Sequence, residues 1–246
     1  ALAIRGNEER VARRTQQQEL VALFAADGMT LDPALIPMDT AVSTYALTRD
    51  ETAERKAAAF LLGDNLERTT QGGGIYTYTS QQGAAAFRDT GSFDAAGSLS
   101  QENAEAFCRD FCKAFSYDTP IFTLDETGSG TATAVRLWNG TPVFNAAVTF
   151  IIDQGRVLSA SGALLPETGA ETSSGQKPLS AFAALTAFQQ MRHESSSVVS
   201  SITEVSLCYE LQSTTAAPMA LVPSWRIVTD TATFYVNCIS GTVRRA

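Results

Sequence analysis

At 246 residues, with 44% apolar and 18% charged residues, the chain has a globular composition and room for one large domain or two to three small ones. A net charge of −8 with three lysines (Lys56, Lys113, Lys177) excludes an electrostatic grip on nucleic acid, which needs clustered Lys/Arg to displace counterions. No run of 18 apolar residues occurs, so no segment reads as a bilayer-spanning helix.

Residues 7–28 read as a helix, with Leu20, Val21, Leu23 and Phe24 packing near its end and Gly28 placed to stop it. The start is net positive, because Arg5, Arg10, Arg13 and Arg14 outnumber Glu8 and Glu9. The sequence opens without an initiator Met and inside a helical pattern. An upstream signal or membrane anchor is therefore expected.

Three further segments then repeat one order of events: a polar cap, an amphipathic helix, a loop, and alternating strands. In the first, Thr48-Arg49-Asp50-Glu51 has the form of a capping box, and Ala53, Ala57, Phe60 and Leu61 share one helical face. Gly72-Gly73-Gly74 precedes the strand Ile75–Thr79, with further strands expected at Ala84–Asp89 and near Phe93.

In the second, Ser100 is the expected cap. Ala104, Phe107, Cys108, Phe111, Cys112 and Phe115 form a complete helical stripe. Thr133–Trp138 is a strand, Asn139-Gly140 a two-residue hairpin turn, and Pro142–Ile152 the partner strand. Phe144, Ala146, Val148, Phe150 and Ile152 fall on one face of that partner, and Asp153-Gln154-Gly155 turns into a third strand, Arg156–Leu164.

Pro166–Pro178 reads as a linker. Beyond it Ser180 caps a helix with Phe182, Leu185, Phe188 and Met191 inward. Strands follow at Val205–Leu211, Ser224–Thr229 and Thr233–Ile239. Their expected core faces are Val205, Leu207, Tyr209 and Leu211, then Trp225 and Ile227, then Phe234, Val236 and Cys238.

The predicted fold class is α+β, with repeated units of a helix plus an antiparallel β-meander and the helices packed on one face of the sheets. The expected divisions are a membrane-proximal helix (1–28), an N-terminal unit (29–97), a middle unit (98–172) and a C-terminal unit (173–246).

Four cysteines are read as free, buried thiols. Cys108 and Cys112 sit one turn apart on a helix, a poor disulfide geometry, and alternation puts Cys208 and Cys238 on opposite strand faces. No Cys-x-x-Cys pair exists and His193 stands alone, so neither a metal nor another cofactor is expected.

Each candidate for chemistry has a plainer structural reading. His193 fits a helix end, where the dipole favours it, better than a catalytic base. Ser174-Gly175-Gln176-Lys177 matches Ser-x-x-Lys but contains Gly and precedes Pro178, so a loop is expected. Gly72-Gly73-Gly74 runs from helix to strand, the wrong order for a phosphate cradle. Asn139-Gly140-Thr141 fits a glycosylation sequon, but the hairpin turn explains it better. Tyr76, Tyr78, Trp138 and Trp225 would form an interaction surface if exposed, and core otherwise.

The segment Leu221-Val222-Pro223-Ser224-Trp225-Arg226-Ile227-Val228-Thr229-Asp230 is followed by Phe234-Tyr235-Val236-Asn237-Cys238-Ile239-Ser240-Gly241-Thr242-Val243. A proline before a Trp-led strand, then Tyr-Val-Asn-x-x-x-Gly-x-Val, resembles the C-terminal unit of the YycI/YycH regulatory proteins and the wider PepSY class. Leu23–Leu31, closing in Ile36-Pro37, is similar to the membrane-proximal start of such proteins in Gram-positive bacteria. The resemblance implies a PepSY/YycI-like fold and an N-terminal transmembrane anchor outside this sequence. It further implies an extracytoplasmic body and a protein partner, a sensor histidine kinase or related regulator, with no catalytic residues. Two other readings stay open: a PepSY-like peptide-binding or protease-inhibitory module, and an α+β cavity domain that binds a small ligand or acts as an enzyme.

Overall fold

Three helices each lead into a run of strands, and the local cause of every helix start can be read from its cap. The computed structural model describes residues 2–38, 41–100, 103–172, 175–195, 198–214 and 217–246, with side chains from residue 11 onward. The chain opens with α1 (Leu2–Ala26), β1 (Thr30–Leu31), a 3-10 turn (Pro33–Leu35) and β2 (Thr44–Leu47). Then α2 (Glu51–Leu62) leads into β3 (Glu67–Thr70), β4 (Tyr76–Ser80), β5 (Gly83–Phe87) and β6 (Ser92–Gly97). Next, α3 (Ala104–Ala114) leads into β7 (Ile121–Leu124), β8 (Gly130–Trp138), β9 (Thr141–Asp153), β10 (Arg156–Ala163) and β11 (Gly169–Thr172). Last, α4 (Ala181–Ser195) leads into β12 (Ser201–Gln212), β13 (Ala220–Thr229), β14 (Thr233–Asn237) and β15 (Val243–Arg245). Among the ladders whose register is described, pairing is antiparallel apart from β1 with β12 and a single bridge, Tyr209↔Val143, between β12 and β9. The class is α+β, as the sequence predicts.

The caps differ from the expected ones in two of three cases. Asp50, not Thr48, caps α2: its carboxylate accepts from the Thr52 and Ala53 N–H groups at 2.9 and 3.0 Å. Asn103 caps α3, accepting from the Ala106 N–H at 3.1 Å, because the Leu99 and Ser100 amides are still donating to Val157 of β10. Ser180 does cap α4, accepting from the Ala183 N–H at 3.2 Å. Gly28, at φ +74°, ends α1 as expected, and the Met29 N–H returns to the Phe24 carbonyl.

Compactness divides the chain into two units. The larger holds residues 45–172 and 209–221; the smaller holds 1–44, 173–208 and 222–246. The larger unit contains eight antiparallel strands in the order β3-β4-β5-β6-β10-β9-β8-β7. Segments 29–97 and 98–172 thus share one sheet, through the ladder that matches Ser92–Ala96 to Ser159–Ala163. Both helices lie on the same face. Phe60 of α2 meets Phe107, Phe111 and Phe115 of α3 at centroid distances of 5.2 to 5.9 Å. A second cluster in this unit joins Trp138, Tyr209, Leu221 and Leu47.

The Asn139-Gly140 and Gln154-Gly155 pairs both have positive φ (49° and 78°, 49° and 75°), the requirement of tight hairpin turns whose twist matches the strands. Between them β9 is irregular. Val135 pairs with Ala147 but Arg136 pairs with Val143, so the register shifts. The shift puts Val143 in the core and leaves Phe144 half-buried, against the simple alternation expected. The stretch 166–178 is not merely a linker, since β11 forms at 169–172 and neighbours β2.

In the smaller unit α4 packs on β14 and β15, and α1 lies against α4 and β1. Leu20, Phe24, Leu185, Phe188, Trp225, Ile227, Phe234, Val236 and Cys238 share its core. Phe188 is 6.4 Å from Phe24 and 5.0 Å from Phe234, centroid to centroid. Along β12 the alternation breaks: Cys208, Tyr209 and Glu210 are all buried.

Phe111 is fully buried and touches aromatic rings of α2, β6 and β9. Phe111→Ala is expected to destabilise the larger unit by about 3 to 5 kcal/mol, measured as a lowered urea midpoint. Val11→Ala, exposed on α1, is expected to shift it by less than about 0.5 kcal/mol.

Candidate functional site

Three of the four aromatic residues read as a possible surface are interior. Tyr78 is buried edge-on to Phe87 at 5.7 Å. Trp225 is buried in the smaller unit, its indole N–H donating to the Leu179 carbonyl at 2.9 Å. Trp138 is buried against Tyr45 (4.5 Å) and Tyr209 (5.7 Å) and donates to the Pro166 carbonyl at 3.1 Å. Only Tyr76 of the four is partly open. Its ring lies between the Arg49 and Arg68 guanidinium groups, at 3.9 and 4.7 Å, and its hydroxyl donates to Glu51 at 3.1 Å.

The Tyr76 surroundings form a closed set of charges. Arg49 makes a bidentate pair with Glu54 (2.7 and 2.9 Å) and also donates to the carbonyls of Gly74 and Phe87. Arg68 pairs with Glu51 at 2.8 Å. Burial pushes the Glu54 carboxyl up despite its Arg49 partner, whereas the Arg68 and Tyr76 hydrogen bonds pull Glu51 down. Every charge of this set has a partner, so it anchors the Gly72–Gly74 loop to the start of α2 rather than presenting an empty site.

Arg136 is the polar residue that sequence reasoning missed. The alternation Ala132, Ala134, Arg136, Trp138 already placed it on the inward face of β8, and it is fully buried. Its guanidinium donates to the carbonyls of Ser116 (2.6 Å), Leu137 (2.8 Å) and Leu165 (2.8 Å), and to Glu167 (2.9 Å). The Tyr117 ring lies 5.6 Å away, and its hydroxyl donates to the Ala163 carbonyl at 2.6 Å. Desolvation raises the Tyr117 hydroxyl well above its usual range. The arginine Nε has no partner among the described residues. These bonds tie the 163–167 segment to the strand irregularity at Val135/Arg136.

In the smaller unit Asp27 accepts from His193 at 2.9 Å and pairs with Arg192 at 3.3 Å, with the Gln189 amide also bonded to it. His193 is in the last turn of α4 and is more than half exposed. The group holds the end of α1 to α4, and among the described residues no Ser or Cys side chain bonds the imidazole. Ser174 of the Ser-x-x-Lys match lies outside the described residues.

All four cysteines are buried and free. Burial raises each thiol from near 9 to about 12, which disfavours the thiolate at neutral pH. The Cys208 thiol donates to the Ser224 carbonyl, and the Cys238 N–H donates to the Pro223 carbonyl. Neither cysteine is in a disulfide. Among the described residues no group of three or more His, Cys, Asp or Glu side chains could hold a metal ion. A polar groove of about 710 Å³ runs past the C-terminal end of α2, lined by Leu62, Asp64, Glu67, Thr79 and Gln82 among others. Its polar side chains are carboxylates, amides and hydroxyls.

No family model and no curated protein matches the chain. Distantly similar solved structures include the following two. An uncharacterised protein from Eubacterium rectale ATCC 33656 shares 12% identity with a TM-score of 0.44, over 82% of this chain and 80% of that one. The C-terminal domain of YpeB from Bacillus megaterium shares 13% identity with a TM-score of 0.38, over 81% of this chain and 98% of that one.

Two measurements test this account of the polar interior. Arg136→Met strands the Ser116, Leu137 and Leu165 carbonyls and is expected to cost about 3 kcal/mol or more, whereas Glu167→Gln, at an exposed partner, is expected to cost under about 1 kcal/mol. Because the folded chain keeps its thiols protonated beyond the pH at which an unfolded chain releases them, stability is intact below about pH 9 and falls from there toward about pH 12. A urea midpoint followed against pH checks this, and replacing Cys108 and Cys112 by Ala should flatten the slope.

Proposed function

We propose that this chain is the non-catalytic, extracytoplasmic body of a membrane-anchored bacterial regulatory protein that modulates a sensor histidine kinase by protein contact. The observation that carries the reading is the C-terminal unit: Ser180-capped α4 packs on the Tyr-Val-Asn strand β14, which pairs with the Trp225-led strand β13, the residues that resemble YycI/YycH and PepSY proteins. Two features of the chemistry support it. The thiols are held neutral, and the clustered carboxylates near Tyr76, Arg136 and Asp27 each face an arginine.

The shape of α1 also supports attachment at the N-terminal end. Along its described side chains, burial is confined to Leu20 and Phe24 near the C-terminal end, and Val11 is exposed. A helix whose fully buried side chains, among those described, are Leu20 and Phe24 suits a stalk. Among the described residues no helix is long and apolar enough to cross a membrane; the proposed anchor would lie in a segment upstream of this sequence.

A bacterial two-hybrid assay with the full-length gene product and the sensor kinases of its own genome tests the proposal. A kinase interaction that needs the upstream segment is expected. Absence of any kinase contact with the anchor present would overturn it.

A further inference from the structure

We propose that the free edge of β7 takes up an extended segment of a partner protein by strand addition, and that this segment carries basic residues on both sides of an uncharged core. The inference rests on the reading that the chain acts through protein contact, and it names the surface and the chemistry of the segment.

Among the described residues, β1, β3, β7, β11 and β15 each have one neighbouring strand and so present a free edge. An open edge is a template for another chain, and folded proteins guard it with charge or extreme shortness. β3 carries Glu67 and Arg68, β11 carries Glu171, β15 carries Arg244 and Arg245, and β1 has two residues. β7 is different: Ile121-Phe122-Thr123-Leu124 has no charge. Its side chains alternate cleanly. Phe122 and Leu124 pack against the core of the larger unit, while Ile121 and Thr123 face out, Ile121 with 75% of its surface exposed.

The strand is also held rigid from behind. The ladder to β8 runs Ile121↔Thr133 to Leu124↔Gly130, and Arg109 of α3 covers the Phe122 ring at 5.0 Å. Little order would be lost on pairing, because the receiving strand is already in place.

Charge at the two ends selects the occupant. Asp118 precedes β7, and Asp125 and Glu126 follow it, all exposed. Asp125 is held ionised by hydrogen bonds from Thr127 and Ser129. The nearby cation Arg109 is already paired with Glu105 at 3.2 Å. A second copy pairing antiparallel through β7 would set these carboxylates against one another, whereas lysines or arginines outside an apolar, β-branched core would meet them. The net charge of −8 draws a basic segment toward the surface.

The test uses the whole chain and a fluorescein-labelled peptide with a Val-Thr-Val-Thr core and two lysines at each end. Saturable binding by fluorescence polarisation is expected, weakened at least tenfold when glutamates replace the lysines and lost when alternate core amides are N-methylated. Amide exchange should slow on β7 and not on β3. Ile121→Lys and, separately, Thr123→Lys should each weaken binding at least tenfold with unchanged circular dichroism, and Thr69→Lys on β3 should not. Binding that survives N-methylation, protection elsewhere than β7, no binding at all, or a concentration-dependent dimer abolished by Ile121→Lys would each overturn the inference. Should a kinase bind the full-length protein and Ile121→Lys leave that contact intact, this edge is wrong and the regulatory reading stands. Should the peptide bind at β7 while no kinase is contacted, the edge stands and that reading fails.

Discussion

Phe111 sits on the buried side of α3 with Phe60 of α2, Phe93 of β6 and Phe150 of β9 all within 6.2 Å of its ring centroid. The larger unit depends on this convergence, because one ring joins two helices to strands that belong to different segments of the chain. A helix with an apolar stripe as complete as that of α3 must cover a sheet, and β8 to β10 alone could have supplied one. Pairing of β6 with β10 extends the sheet, so that α2 and α3 cover it together and their phenylalanines fill the seam between them. Burial of these rings contributes roughly 1.5 to 3 kcal/mol each.

The polar interior follows a different rule. A buried charge is tolerated where its donors are used, and Arg136 uses three carbonyls and a carboxylate. The same logic governs Arg49 with Glu54 and the Asp27 group beside His193. Each set links a loop or helix end to a sheet or neighbouring helix. Chemistry at such places would need a group left poised and unpaired, and these groups are committed to structure. The edges of the sheets are less uniform: charge marks β3, β11 and β15, and only β7 combines four residues with none.

How much of this was legible in the sequence depends on the distance over which each cause acts. The hairpin turns at Asn139-Gly140 and Gln154-Gly155, the stop at Gly28 and the cap at Ser180 were readable because a few adjacent residues fix them. The caps at Asp50 and Asn103 were misassigned by two or three residues, since Thr48 and Ser100 are equally good capping types and the choice falls to the neighbouring strand. Arg136 was within reach of alternation, but charge argued against an inward position until its carbonyl and carboxylate partners, 20 to 31 residues away apart from the adjacent Leu137, were in view. The interiors that receive Tyr78, Trp138 and Trp225 were likewise invisible locally, because an aromatic on a strand suits either face.

The sequence by itself therefore determined the α+β class, the four helices, the hairpin chemistry and the inward residues of α3 and β14. Periodicity and turn geometry act over a few residues, and no distant partner is needed to read them. Tertiary structure decided the rest: the ladder between β6 and β10, the shared core of segments 29–97 and 98–172, the pairing of β2 with β13, and which edges stay open. Strand pairing is a choice among many near-equivalent backbone ladders. It is settled only when whole faces are buried together, a sum that no local stretch of residues contains.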